Sequence, residues 1–140
     1  MKKLSIVQQW AANIRIAMAH KRVSQESVGM TVEPRTVQIM ATWLTDKEWT
    51  EDLSFDEVSR KLGISKQQIS LYSRWFHHKP FLSWRRELRI EEAKSRLLDN
   101  INIPASLIGV SVGIPDKSNF RRQFKETTGL TPVQWRESKH

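Results

Sequence analysis

A repeat inside the chain constrains its fold more than any other feature of the sequence. Val58, Leu62, Gly63 and Ile64 recur as Ile108, Val112, Gly113 and Ile114 at a constant spacing of 50 residues. The second copy then carries one extra residue, Pro115, after which Ser65, Lys66 and Ile69 match Asp116, Lys117 and Phe120. Each copy reads as a short helix, a turn on glycine and a second, capped helix. Glycine takes a positive φ without steric cost, and Ser or Asp accepts from the unsatisfied N–H groups that open a helix. This is the helix-turn-helix arrangement, whose second helix is suited to the DNA major groove. One glycine turn between helices is weak evidence, because any helical hairpin can use it. Two copies with the same apolar placement are far more specific.

The rest of the chain is helical in pattern as well. Val7, Trp10, Ala11, Ile14, Ala17 and Met18 form a stripe between Leu4 and Arg22, and the polar stretch Ser24 to Thr31 reads as a loop. Pro34 opens a helix that aligns Val37, Met40, Ala41 and Leu44, and Asp46 to Asp52 reads as an acidic, polar connection. Ser54 and Glu57 have capping-box spacing before a helix ending near Leu62. The next helix runs from Lys66 to about Phe76, and Pro80 breaks the chain. The longest helical pattern spans about Phe81 to Leu98, with Leu82, Leu88, Ala93 and Leu97 apolar and Arg85, Arg86, Arg89, Lys94 and Arg96 charged. Two helices flank Gly113, and Gly129 to Pro132 sets off a last short one around Gln134. The expected fold is all-α: an N-terminal helical extension over 1–33, then one region over 34–140. Within that region lie helix-turn-helix units at about 54–77 and 104–126, joined by a long linker helix at about 81–98.

Periodicity also separates the faces. In the first candidate recognition helix Ile69, Tyr72 or Ser73, and Phe76 should turn inward, leaving Gln67, Ser70, Leu71 and Arg74 outward. In the second, Phe120, Phe124 and Thr127 should turn inward, leaving Ser118, Arg121, Arg122 and Lys125 outward. Lys66, Gln68 and Lys117 complete the candidate contact set. Gln, Asn and Arg can make paired hydrogen bonds to base edges, and Lys and Arg suit phosphates. The formal charge of +8, from 23 Lys and Arg against 15 Asp and Glu, favours a polyanionic partner. A linker of roughly 17 residues at about 1.5 Å each reaches about 25 Å, which suits two successive major-groove segments. A monomer could then read nearly two turns of double-stranded DNA.

From Phe120 to Arg136 the sequence runs Phe-Arg-Arg-Gln-Phe-Lys-Glu-Thr-Thr-Gly-Leu-Thr-Pro-Val-Gln-Trp-Arg. This resembles the signature of the AraC/XylS family of bacterial transcription regulators, and Trp84 to Leu98 is similar to the family's linker helix. The similarity covers about Pro34 to His140. It implies a homeodomain-like, AraC-type DNA-binding domain of seven helices, with two recognition helices in adjacent major grooves. It also implies, usually, activation of transcription, with RNA polymerase as a candidate partner. The family's base-reading positions fall on Gln67, Ser70 and Leu71 in the first unit and on Ser118, Asn119 and Arg122 in the second. The sequence departs from the pattern in three places. His77-His78-Lys79-Pro80 stands where many relatives have a glycine, Leu71 where a polar reader is expected, and Pro115 at a frequent serine cap, which leaves Asp116 to cap. Many members carry a separate ligand-binding or dimerisation domain, for which this chain has no room. The expectation is a small effector-free member or the DNA-binding part of a larger protein.

Other functional classes find little support. The absence of cysteine excludes disulfides and thiolate chemistry, and no apolar run is long enough to span a bilayer, so a cytoplasmic protein is expected. His77 and His78 point about 100° apart on a helix and make a poor chelate, so a position on the solvent side or near DNA phosphate is expected. Glu91 and Glu92 stand among arginines on a helix, as members of a salt-bridged face rather than a catalytic pair. No phosphate-binding glycine loop occurs, and no catalytic residue, metal or cofactor is expected. Trp43, Trp49, Trp84 and Trp135 are assigned to the core, with Trp75 at its margin. The extension fits packing on the domain or self-association to a dimer. The competing functional class is a helical interaction module, an adaptor or anti-activator, using its basic surface on an acidic protein.

Overall fold

The computed structural model describes residues 31–139, so the expected stripe from Val7 to Met18 lies outside the described residues. Seven α-helices and one 3-10 turn make up the described chain: α1 (Pro34–Thr45), the turn Glu48–Thr50, α2 (Phe55–Leu62), α3 (Lys66–His77), α4 (Phe81–Asp99), α5 (Ala105–Ser111), α6 (Lys117–Thr128) and α7 (Pro132–Ser138). They group into two compact units. The first contains the described residues up to Lys47 together with Phe55–Phe81, and the second contains Glu48–Ser54 together with Leu82 onward.

In the first unit α1 starts on Pro34, where the missing N–H costs nothing, and buries Thr36, Val37, Met40, Trp43 and Leu44 along one stripe. α2 places Asp56 and Glu57 in its first turn and Arg60 and Lys61 in its last, matching the helix dipole at both ends. α3 packs against both α1 and α2. It buries Ile69, Tyr72, Ser73 and Phe76, so both residues of the Tyr72 and Ser73 alternative are inside. Ser73 remains buried because its hydroxyl donates to the Lys79 carbonyl at 2.7 Å. Phe81 closes this core, with ring centroids 5.4 Å from Trp43 and 4.7 Å from Phe55.

The second unit is built on α4. Ile90, Ala93 and Leu97 meet Ile108, Val112, Ile114, Phe120 and Phe124 in one buried cluster, with Ala105 and Trp135 at its edge. Thr131 and Gln134 form a reciprocal capping box at the start of α7. Arg136 reaches back to cap the other end of α4, donating to the carbonyls of Leu97 at 2.9 Å and Asn100 at 3.1 Å.

The acidic connection expected between the units' helices is an ordered part of the second unit. Trp49 is buried there. Arg89 donates to the carbonyls of Trp49 and Glu51, each at 2.7 Å, and Arg85 donates to that of Leu53 at 2.6 Å. Three alternate carbonyls are thus held by two guanidiniums one helical turn apart. Burial, aided by repulsion from Arg85 and opposed by Asp52, holds the Arg89 guanidinium down to about 10, which leaves it charged at neutral pH. Farther along, the expected salt-bridged face is present, with Lys94 bound to Glu91 at 2.9 Å and Arg96 to Glu92 at 3.2 Å.

Candidate nucleic-acid interface

The two turns repeat in backbone as well as in sequence. Ile64 N–H donates to the Ser59 carbonyl at 3.3 Å, and its counterpart Ile114 N–H donates to the Gly109 carbonyl at 2.8 Å. Gly63 and Gly113 take φ of 67° and 92°, the region that favours glycine. The helix after each turn is capped at the matching residue. Ser65 accepts from Gln68 N–H at 3.1 Å, and Asp116 accepts from Asn119 N–H at 2.7 Å, so Asp116 does the capping that Pro115 cannot. Both helices end on a left-handed residue, Gly129 after α6 and His78 after α3. His78, with φ of 60°, takes the conformation usually left to glycine.

On α3, Lys66, Gln67 and Arg74 are exposed, while Ser70 and Leu71 are half-buried. The Lys66 ammonium lies 2.9 Å from Asp56 and over the Phe55 ring, and this pair holds the Asp56 carboxyl below its usual range. An ion pair so exposed contributes little to stability. Gln68 does not share this outer face. Its side-chain oxygen accepts from Glu33 N–H at 2.9 Å and from the Thr36 hydroxyl at 3.0 Å, and its NH2 group donates to the Thr31 carbonyl at 3.0 Å. The amide is engaged at both ends as a brace inside the first unit. Its partners lie more than thirty residues away, so no local pattern could have announced them.

On α6, Lys117, Ser118, Arg121, Arg122 and Lys125 are exposed and Asn119 is half-buried. The Asn119 side-chain oxygen accepts from Arg122 Nη2 at 2.7 Å and from Gln123 Nε2 at 3.0 Å. Asn119 therefore orients the Arg122 guanidinium, and Gln123, which sequence reasoning did not single out, steadies Asn119. Thr127 is exposed, contrary to expectation. The inward residue is its neighbour Thr128, whose hydroxyl donates to the Phe124 carbonyl at 2.8 Å.

His77 also departs from expectation. It is half-buried, 5.7 Å from the Tyr72 ring, and burial together with the nearby Lys79 and His78 lowers its imidazole to about 4. Trp75 is 43% exposed and Leu82, expected among the apolar positions of α4, is 50% exposed. Nor is the basic excess uniform in use. Arg35, Arg85, Arg89, Arg96 and Arg136 all donate to backbone carbonyls, whereas Arg74, Arg121, Lys117 and Lys125 lie on the outer faces. Among the described residues no helix is long and apolar enough to cross a membrane, and no cluster of His, Cys, Asp and Glu is placed to hold a metal ion.

Residues 58–138 match a family model described as a helix-turn-helix domain, of the AraC type. The chain belongs to the AraC/XylS family. Members of that family are DNA-binding transcription regulators and not enzymes. The arabinose operon regulatory protein of Escherichia coli is 34% identical over 87 residues, which cover 61% of this chain and 30% of that protein. Its counterpart from Salmonella typhimurium is 27% identical over 122 residues, covering 87% of this chain and 43% of that protein. The chain thus spans less than half the length of these relatives. In fold it is similar to the C-terminal domain of AraT, a response regulator from Geobacillus stearothermophilus, with a TM-score of 0.65 at 22% identity, covering 78% of this chain and 88% of that one. The family signature is largely structural here: Phe120, Phe124 and Trp135 pack together, Gly129 ends a helix, Thr131 caps one, and Arg136 caps α4.

Proposed function

We propose that residues 34–140 form a sequence-specific reader of double-stranded DNA that enters successive major-groove segments with α3 and α6. The supporting observation is the repeated turn and cap, which in each unit leaves one polar or basic helix face outward. Gln67, Ser70 and Leu71 read bases from α3, with Lys66 and Arg74 on phosphates. Ser118 and Arg122, the latter held by Asn119, read bases from α6, with Lys117, Arg121 and Lys125 on phosphates. The length of α4, 19 residues, gives a rise of about 28 Å, comparable to one duplex turn. One chain suffices for such a site, and a dimer through residues 1–33 would extend it. The regulator acts in the cytoplasm as an activator, with RNA polymerase as its partner.

Selection from a randomised duplex pool tests this reading. The expected outcome is an enriched site of two parts, with affinity that falls steeply with salt as phosphate contacts release counterions. Arg122→Ala is expected to cost about 1–3 kcal/mol and to relax preference at one base pair. A pool with no enriched sequence and a flat salt response would instead favour an interaction module that binds an acidic protein.

A further inference from the structure

The second unit contains a polar cleft of about 290 Å³ lined by Leu82, Ser83, Arg85, Arg86, Arg89 and Gln123. This is close to the lower limit of ligand-site size. Positions 82, 85, 86 and 89 share one face of α4 by helical spacing, and Gln123 closes the cleft from α6. Three arginines therefore line one small space, joined by a serine and a glutamine. Carboxylates near them include Asp52, which favours the charged forms of Arg85 and Arg89, and Glu126, 3.6 Å from Arg86. The lining itself holds three arginines and no Asp or Glu. Arg89 is a cation in a confined place, and two carbonyl bonds use only part of its five donors.

We propose that this cleft binds a phosphate group, with Arg86 and Gln123 as its principal donors and Ser83, Arg85 and Arg89 completing the wall. Donors from two helices suit a tetrahedral oxyanion, which accepts from several directions, and guanidinium–phosphate bonds are among the stronger hydrogen bonds. The depressed Arg89 is in keeping with a site whose charge an anion would offset. Occupancy also has a route to DNA reading. Gln123 donates to the same Asn119 oxygen that holds Arg122, so a phosphate that draws Gln123 away leaves that oxygen to Arg122 alone. The phosphate comes either from the backbone of the bound duplex or from a free small molecule. The binding step itself goes beyond the DNA reading, since a free phosphate needs no duplex.

Two measurements on the 140-residue chain test the site. In the first, inorganic phosphate is titrated without DNA, against chloride at equal ionic strength, while NMR follows the arginine Nε–H and Gln123 amide signals. Saturable shifts at Arg86 and Gln123 are expected. Followed at Gln123, the apparent affinity should fall about tenfold or more in Arg86→Gln and rise in Glu126→Gln, which releases Arg86. In the second, single neutral methylphosphonate linkages are stepped along a bound duplex. A linkage that weakens the unsubstituted chain but not Arg86→Gln marks a backbone phosphate as the occupant, whereas saturation by free phosphate without such a linkage marks a small molecule. Absence of both effects overturns the proposal. Failure to find any preferred duplex sequence would remove the DNA reading and leave the phosphate titration standing.

Discussion

Gln68 and Asn119 occupy the same position in α3 and α6, each three residues after the cap, yet their amides do different work. Gln68 turns back to hold Thr31, Glu33 and Thr36, whereas Asn119 stays on its own helix and holds Arg122. The matched position of Arg122 in the first unit is Leu71. The repeat therefore sets a frame and leaves its use open. In the first unit the amide contributes to packing and the outer face carries Arg74 and a Lys66 paired with Asp56, while in the second the amide holds Arg122 on a face that also carries Lys117, Arg121 and Lys125. A shared turn is evidence of shared presentation, not of shared recognition.

The largest expected difference between the units is at their turns. A Cβ on Gly113 would lie 2.6 Å from the Thr50 carbonyl oxygen and 3.0 Å from the Arg89 guanidinium, whereas one on Gly63 would meet only Arg35 Nη2 at 3.4 Å. Gly113→Ala should cost more than about 3 kcal/mol, strain and collision together, and Gly63→Ala only about 1 kcal/mol. Equal losses in denaturant unfolding would make the turns equivalent and break the comparison.

Acid should separate the units next. The folded His77 protonates near 4 and the unfolded one near 6.5, so between these values the unfolded chain binds more protons. Stability from this group is complete above pH 6.5 and is lost as pH falls toward 4, by up to about 3 kcal/mol. At the matching place in the second unit stands Thr128, which does not titrate. His77→Gln should flatten the acid response in thermal unfolding; an unchanged response would assign it to other groups.

Affinity for DNA sharpens the contrast on a smaller scale. Arg122→Ala should cost about 1–3 kcal/mol with relaxed preference, and Leu71→Ala about 1 kcal/mol or less, since the contact proposed for Leu71 is only an apolar one at a base edge. Competition binding on the selected site measures both, and a larger effect at Leu71 would reverse the assigned division of labour. The paired amides come last. Gln68→Ala should lower stability by about 1–2 kcal/mol and leave sequence preference unchanged, because it strands a hydroxyl and an N–H within the first unit. Asn119→Ala should instead barely alter stability and shift discrimination at the base pair proposed for Arg122. A changed preference in Gln68→Ala would show that the brace also reads.

The parts of this protein legible in its sequence are those whose causes are local. Glycine turns, caps and the inward aromatics at three- and four-residue spacing depend on neighbours within one or two helical turns, and they located both helix-turn-helix units and the outward faces. Thr127 and Thr128 lie about 100° apart, on opposite flanks of the stripe that Phe120 and Phe124 define, and spacing alone did not decide which flank is covered. Tertiary structure alone decided what stands opposite each face. It sent Arg85, Arg89 and Arg136 to carbonyls more than thirty residues away, made Gln68 a brace, enclosed His77 and gathered three arginines around a cleft. Periodicity states which side of a helix a residue occupies. The partner it meets there depends on how distant segments come together, and no local spacing encodes that.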